Sequence, residues 1–414
     1  MTKRILDKKV VSWCLFDLAN SSYSAVIAAV IFPVYFTTVL ASESGYNADL
    51  WWGSAISLSM AFVAVTSPVM GGLADSSGLR KRLLIFYTLL CIAAVSSFWF
   101  LQKGLLLEAF FLVVAANIGM EGGLVFYNSF LPDIAPCTHQ GRISAWGYGT
   151  GYAGSVVSLI IALLIIKFWS IEYVWPTTAL FFLLFSLPAF INLPADSRSP
   201  LPFQKAAALG MKMSLSTLGH IWSDYRIRKF MISYLLYEDG VSTVIVFSSI
   251  FAAFTLGFRS EELILVYLIV QGTALLGSFA MASRIDTKGP KSILSQSLIL
   301  WAAVCCAVFF VQSKTAFFLI ASVAGLGLGT VQAASRAFFT QFIPEGREAE
   351  YFGAYSLVGK SSAVIGPLVF GIVSSTMQSQ RWAVLALSLF FVLGLLILRG
   401  VDAGYPNETA NQES

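Results

Sequence analysis

A few ionisable side chains stand deep inside long apolar runs of this chain: Asp17, Glu121, Glu238, Asp239, Arg336 and Lys360. A charge in such a run costs several kcal/mol unless it is paired or hydrated, which makes each one a candidate for function. Polar residues accompany them. Asp17 and Asn20 are three apart and Asn117 and Glu121 four apart, so each pair shares one helix face. Tyr127 and Asn128 follow on the same run as Glu121. A carboxyl held away from water takes up a proton more readily than one in solution, so Glu121 or Asp17 could bind and release protons. Arg336 or Lys360, with the acids, could meet the two charges of a zwitterion. The same residues could instead form fixed ion pairs that lock helices together. Other chemistries lack their residues. The cysteines (Cys14, Cys91, Cys137, Cys305, Cys306) and histidines (His139, His220) have no metal-ligand or disulfide spacing. No aspartate-rich or HxxxD cluster of the kind membrane-embedded transferases use is present. No metal or cofactor is expected, and the chain does not read as an enzyme.

The elements that position these side chains follow from composition. Of 414 residues, 57% are hydrophobic and 12% charged, about half the charge a soluble domain carries. The net charge of +4 is too small and dispersed for a nucleic-acid surface. A bilayer-spanning helix needs about 20 mostly apolar residues. Twelve such stretches start near Ser12, Trp51, Leu83, Leu105, Ile143, Tyr173, Phe230, Leu263, Ile293, Thr315, Tyr351 and Trp382. The apolar run from Val10 to Leu40 is too long for the core of a signal peptide and is read as the first span. Trp51, Trp52, Trp169, Trp175 and Trp382, near predicted helix ends, suggest an aromatic belt. The fold class is therefore an all-α polytopic membrane protein of twelve spans. Its expected division is an N-terminal six-helix half (1–193), a cytoplasmic linker (194–229) rich in Pro, Ser and Lys, and a C-terminal six-helix half with a short cytoplasmic tail (230–414).

Orientation comes from Lys and Arg. Outside the spans nearly all of them fall on one side, and the other side holds only Lys103, Lys167, Arg259, Lys314 and Arg381. The rich side is expected to be cytoplasmic, with both termini and the linker. At about 1.5 Å per residue, Asp17, Glu238 and Lys360 lie roughly 8 to 13 Å in from that side, Arg336 is shallower, and Glu121 is near mid-bilayer.

The halves repeat one another. Ser12–Asp17 (SWCLFD) resembles Ser233–Glu238 (SYLLYE), Asp75–Gly78 (DSSG) resembles Asp286–Gly289 (DTKG), and Phe130–Asp133 (FLPD) resembles Phe342–Glu345 (FIPE), in the same order and at nearly constant spacing. Tandem halves of this kind place a substrate site between repeats. The run Gly71–Arg82 (GGLADSSGLRKR) resembles the G-x-L-A-D-R-x-G-R-K signature of the major facilitator superfamily, with Ser76 where the signature has arginine. In it, Gly71 allows close helix approach, Gly78 a tight turn, and Asp75 can meet a helix end or a basic group. Gly71, Asp75, Gly78 and Arg80, with Asp286 and Gly289 of the second copy, are the expected cytoplasmic gate.

Longer runs narrow the resemblance. Ser12–Ser21 (SWCLFDLANS), Phe126–Asp133 (FYNSFLPD), Tyr237–Val241 (YEDGV) and Pro344–Gly353 (PEGREAEYFG), followed by Gly359 and Lys360, resemble the vacuole-effluxer branch of that superfamily. Leu18 replaces the branch's usual tryptophan and Glu238 its usual asparagine. The resemblance implies that the first, fourth, seventh and tenth spans line a central cavity, and of the six ionisable residues deep in the apolar runs all but Lys360 lie on them. It also implies export of a small solute, with amino acids as the class. The expected function is secondary active transport of an amino acid or similar zwitterion by alternating access, coupled to protons. The alternatives are a lipid flippase or a membrane-embedded transferase. The expected setting is a plasma (bacterial inner) membrane rather than a vacuolar one. Expected partners are the solute, protons and the lipid bilayer, with no nucleic acid, and the chain is expected to act as a monomer.

Overall fold

The structure, a computed structural model, describes residues 7–40, 48–196, 203–362 and 365–402. Its regular elements among these residues are all helical. Twelve are long and apolar enough to cross a membrane. In the first half of the chain they are Lys8–Leu40, Leu50–Ser77, Arg80–Phe100, Leu106–Ile134, Cys137–Phe168 and Ile171–Asn192. In the second half they are Tyr225–Leu256, Glu262–Lys288, Pro290–Phe310, Lys314–Phe342, Glu348–Thr376 and Gln380–Arg399. Each coincides with one expected stretch. Large apolar side chains such as Val65, Ile191 and Phe254 point outward and are exposed, as the acyl chains of a bilayer require.

A thirteenth helix, Phe203–Ser223, lies in the stretch read from sequence as linker. The seventh span starts at Tyr225 rather than near Phe230 because Asp224 caps it, accepting from Arg226 N at 2.8 Å and Ile227 N at 3.3 Å. Arg226, Arg228 and Lys229 thus form its first turns instead of a loop.

By contact the described residues form two compact units. One gathers those within Met1–Ile134, Thr150–Ser214 and Gly346–Leu357, and the other those within Ala135–Gly149, Leu215–Glu345 and Val358–Ser414. Each unit therefore contains the opening turns of one span whose remainder belongs to the other.

In the first unit, Trp13 stacks on Tyr127 at 4.5 Å between ring centroids, and its Nε1 donates to Tyr127 O at 2.9 Å. Near the opposite end, Phe32 stacks on Phe98 at 4.2 Å and meets the Trp175 edge at 5.0 Å. Trp175 is fully buried there, so it belongs to the packed interior and not to the expected aromatic belt, to which exposed Trp169 and Trp382 are suited. In the second unit, Phe230 packs among Phe338, Phe339 and Phe342, and Trp301 stacks on Phe391 at 5.5 Å.

The first span is not a uniform α-helix. After Lys8–Ser22 it widens to a π-helix over Tyr23–Val30 and again over Phe36–Leu40. Ile31 N donates five residues back, to Val26 O, at 3.1 Å. Pro33 explains the change, since it lacks an N–H and its ring crowds the carbonyl four residues back. The Thr37 and Thr38 hydroxyls donate to Pro33 O at 2.9 Å and Val34 O at 2.7 Å. The seventh span, its repeat counterpart, is α-helical throughout Tyr225–Leu256.

Candidate functional site

The residues of the first unit that the sequence marks as an expected gate cluster at the Lys/Arg-rich end of the second span. Asp75 Oδ1 accepts from Ala349 N at 3.3 Å and Oδ2 from Glu350 N at 2.9 Å. These are the second and third residues of the helix Glu348–Ser361, where N–H groups have no partner within their own helix. Asp75 thus caps the eleventh span from outside it, and a carboxylate there also opposes the positive end of the helix dipole. Gly71 lies one turn earlier against the backbone carbonyl of Ala349, with no room for a Cβ. Arg80 ties the arrangement together. Its guanidinium lies 3.7 Å from Asp75, 2.8 Å from Asp133 and 3.3 Å from Glu348, and donates to Ser129 O at 3.2 Å. The turn is made by Gly78 at φ 65°, with Leu79 N returning to Ala74 O at 3.0 Å, the glycine-ended helix stop.

The second unit repeats the device. Asp286 Oδ1 accepts from Arg142 N at 3.0 Å, with a further backbone bond from Gly141, and its Oδ2 lies 3.5 Å from Arg142 Nε. Gly141 and Arg142 are again the second and third residues of their helix, Gln140–Phe168. Gly289, at φ 80° and ψ 143°, both ends the eighth span and opens the ninth.

Within the spans of the first unit, the candidate side chains fall in two groups. Asn20 Nδ2 donates to Asp17 Oδ1 at 3.3 Å, and both side chains are buried. Gly151 of the fifth span sits against Asp17, where an added Cβ would lie 3.6 Å from its carboxyl carbon. The other group surrounds Asn117. Its Nδ2 donates to Ser59 Oγ at 2.7 Å and its Oδ1 accepts from the Tyr23 hydroxyl at 3.4 Å. Glu121, one turn on, is close enough for its charge to act on Tyr23 and Cys91. Tyr127 is held elsewhere, stacked between Trp13 and Phe16, and Asn128 is half-buried.

In the second unit Glu238 accepts from Gln332 Nε2 at 3.0 and 3.1 Å, one bond to each oxygen, and Lys360 lies within electrostatic range of it. Arg336, one turn beyond Gln332, is buried. Its Nε donates to Ser144 Oγ at 2.9 Å and its Nη2 to Ser144 O at 2.8 Å, and its guanidinium stacks over the Tyr148 ring at 4.1 Å. Asp239 serves as a third helix cap. Its Oδ2 accepts from Gly366 N at 2.8 Å, at the start of Ile365–Thr376, and its Oδ1 accepts from Thr243 at 3.4 Å.

The structure thus brings Asp17 to Asn20, Asn117 and Glu121 both to the neighbourhood of Tyr23, and Glu238 to Lys360, and it places Asp239 and Arg336 in contacts between helices. Sequence reasoning did not single out Tyr23, Ser59, Gln332, Ser144 or Tyr148. Gln332 had a signal, being one turn from Arg336 on an otherwise apolar helix. Ser59 and Tyr23 had none, since they meet Asn117 only through the packing of separate spans.

Among family models, one described as "Vacuole effluxer Atg22 like" matches residues 54–410. YxiO of Bacillus subtilis (strain 168), an uncharacterized MFS-type transporter, is 28% identical over all of this chain and 98% of its own length. Autophagy-related protein 22 of Saccharomyces cerevisiae (strain ATCC 204508 / S288c) is 24% identical over 84% of this chain and 76% of that protein. Autophagy-related protein 22-1 of Aspergillus fumigatus is 26% identical, and this chain spans 51% of its length. Among solved structures, the human organic anion transporter MFSD10 matches with a TM-score of 0.76 at 15% identity, over 94% of this chain and 99% of that one. The proton:xylose symporter XylE matches at 0.75 and 12%, over 95% of each chain. These likenesses establish the major facilitator fold.

Proposed function

The chain belongs to the Atg22-like vacuole effluxer family, and from that membership and the geometry above we propose that it is a secondary active transporter of an amino acid or similar zwitterion, working by alternating access with proton coupling. The observation that carries this reading is Glu121. It stands in the middle of the fourth span beside the hydrogen-bonded side chains of Tyr23, Asn117 and Ser59. Taking up or releasing a proton at this half-buried carboxyl would change the charge at the middle of the span. Glu238 and Lys360 offer both signs of charge for an ammonium and a carboxylate. Asp17 and Asn20 supply further polar contacts. In this reading the Lys/Arg-rich side is cytoplasmic, both termini lie there, the two six-helix halves (1–193 and 230–414) move against one another, and the chain acts as a monomer in a plasma (bacterial inner) membrane. Asp75 and Asp286 hold the cytoplasmic side through part of the cycle.

The test uses purified protein in proteoliposomes, with a panel of labelled amino acids and an imposed pH gradient. A solute should accumulate against its own gradient. Glu121→Gln keeps shape and hydrogen bonding but cannot titrate, so it should abolish gradient-driven accumulation and retain solute exchange. Full pH-driven accumulation by Glu121→Gln would remove Glu121 from the coupling role and move the assignment to Asp17.

A further inference from the structure

The helix Phe203–Ser223 is divided lengthwise into three faces. Gly210, Ser214, Thr217 and Ile221 are buried and form the face turned to the protein. Beside it runs an apolar stripe, Met211, Leu215, Leu218 and Trp222, at intervals of four, three and four residues, one line along a helix. Leu218 is half-buried, but Met211, Leu215 and Trp222 are 53%, 67% and 64% exposed. The third face carries Lys205, Lys212, Ser216 and His220, all exposed, with Leu209 its apolar exception. A helix with most of its large apolar side chains outward, and mainly small ones inward, needs a second apolar phase to cover it.

The depth of the helix identifies that phase. Ser214 Oγ donates to Pro68 O at 2.7 Å, and Gly210 lies against the backbone of Gly72 and Leu73 with no space for side chains. Pro68 and Gly72 are nine and five residues before the end of the second span, whose 28 residues make a helix of about 42 Å. The contacts therefore lie roughly 8 to 14 Å in from the end of a helix about as long as a bilayer with its headgroups is thick. With about 6 Å of headgroups at each end of such a span, that is the outermost hydrocarbon, just inside the headgroup boundary. Trp222, and Tyr225 just beyond the helix, are exposed and of the aromatic types enriched where headgroups meet hydrocarbon.

We propose that the helix Phe203–Ser223 lies in the lipid–water interface on the Lys/Arg-rich side, with its Met211–Leu215–Leu218–Trp222 stripe among the acyl chains and Lys205 and Lys212 on anionic headgroups. Interfacial helices of this design bind through buried apolar area and attraction to anionic lipid together. The inference is independent of what the protein transports, and its test has no transport readout.

Spin labels are placed singly at Lys205, Met211, Lys212, Leu215, Ser216 and Trp222 of the full chain carrying Cys137→Ser and Cys306→Ser, and the protein is reconstituted in phosphatidylcholine with a quarter phosphatidylglycerol. Accessibility to oxygen, which concentrates in lipid, is compared with accessibility to a water-soluble nickel chelate. The oxygen-to-nickel ratio at 211, 215 and 222 is expected to exceed that at 205, 212 and 216 at least threefold. In pure phosphatidylcholine the ratio at 215 should fall, and Lys205→Gln with Lys212→Gln should reproduce that fall in the anionic bilayer. Equal nickel access at all six positions overturns the proposal. Protection of the stripe from both reagents also overturns it, since that result places protein, such as a second copy of the chain, over the face. A ratio indifferent to lipid charge and to the lysine variants removes the anionic headgroups from it.

Discussion

At the end of the second span Asp75 accepts from Ala349 N and Glu350 N, and at the end of the eighth Asp286 accepts from Gly141 N and Arg142 N. In both units the acid, the turn glycine after it and the capped helix positions correspond. The cations do not. Asp286 is balanced by Arg142, which belongs to the helix it caps. Asp75 is balanced by Arg80, which belongs to the following span and also holds Asp133 and Glu348. One unit therefore has an acid with a local counter-charge, and the other a cation shared by three acids. The repeated motif encodes the cap, while the strength of each clasp is set by residues outside the motif's common part. If these contacts form and break during transport, the two clasps should differ in how much each contributes.

The largest effect is expected from Arg80→Gln. It leaves Asp75, Asp133 and Glu348 facing one another without their shared cation. Removing one partner of a largely buried ion pair costs about 3 kcal/mol, which corresponds to a loss of transport on the order of a hundredfold. The measurement is initial uptake in proteoliposomes beside equilibrium binding of the solute in detergent. Binding should persist. Near-normal uptake would show that the network is ornamental to the cycle.

Next comes the direct contrast. Asp75→Asn retains one acceptor for the helix end but removes the negative charge, and Arg80 keeps Asp133 and Glu348. A loss of about tenfold in uptake, or ~1.4 kcal/mol, is expected, with solute affinity changed little. Asp286→Asn loses a single local pairing and should slow uptake about two- to threefold, in line with ~0.5 kcal/mol for a partly exposed pair. An equal or greater effect at Asp286 would break the comparison.

These clasps also mark how far sequence reasoning reaches. Asp75, Gly78, Asp286 and Gly289 stand out as a repeated acid-and-glycine pattern. What the acids cap could not be read, because the donors are backbone N–H groups of distant helices and leave no side-chain signature. The spans are legible because lipid demands long apolar runs. The helix Phe203–Ser223 escaped notice because its packed face is Gly210, Ser214, Thr217 and Ile221, of which only the last is a large apolar residue, so the face lacks the apolar periodicity that marks a buried one in sequence. Trp175 shows a similar blindness, since a tryptophan near a helix end reads as interfacial unless Phe32 and Phe98 are known to surround it. In the candidate site, contacts within one helix, such as Asp17 with Asn20, follow from spacing. Those that join helices, Tyr23 with Asn117 and Asp239 with Gly366, depend on packing alone.

The smallest effect on transport is expected from the turn glycines, and here the order of the two units should reverse. Gly78 has φ 65°, and the bond from Leu79 N to Ala74 O completes a left-handed helix stop. An alanine can enter that conformation at a cost of about 1 kcal/mol. Gly289 combines φ 80° with ψ 143°, close to a region that only glycine occupies readily, where a side chain costs roughly 2 kcal/mol. At Gly289 no neighbour would collide with an added methyl, so strain in the backbone and not crowding sets the penalty there. The turns connect consecutive helices, and their strain should be carried through every state of the cycle. Gly289→Ala and Gly78→Ala should therefore each change uptake by less than about twofold, within the ~0.4 kcal/mol that such a ratio represents. Their difference should appear in thermal unfolding of the purified protein, with Gly289→Ala melting lower than Gly78→Ala. A lower melting temperature for Gly78→Ala would show that the turn of the first unit is the more constrained, and that the stronger clasp and the stiffer turn lie at the same end of the second span.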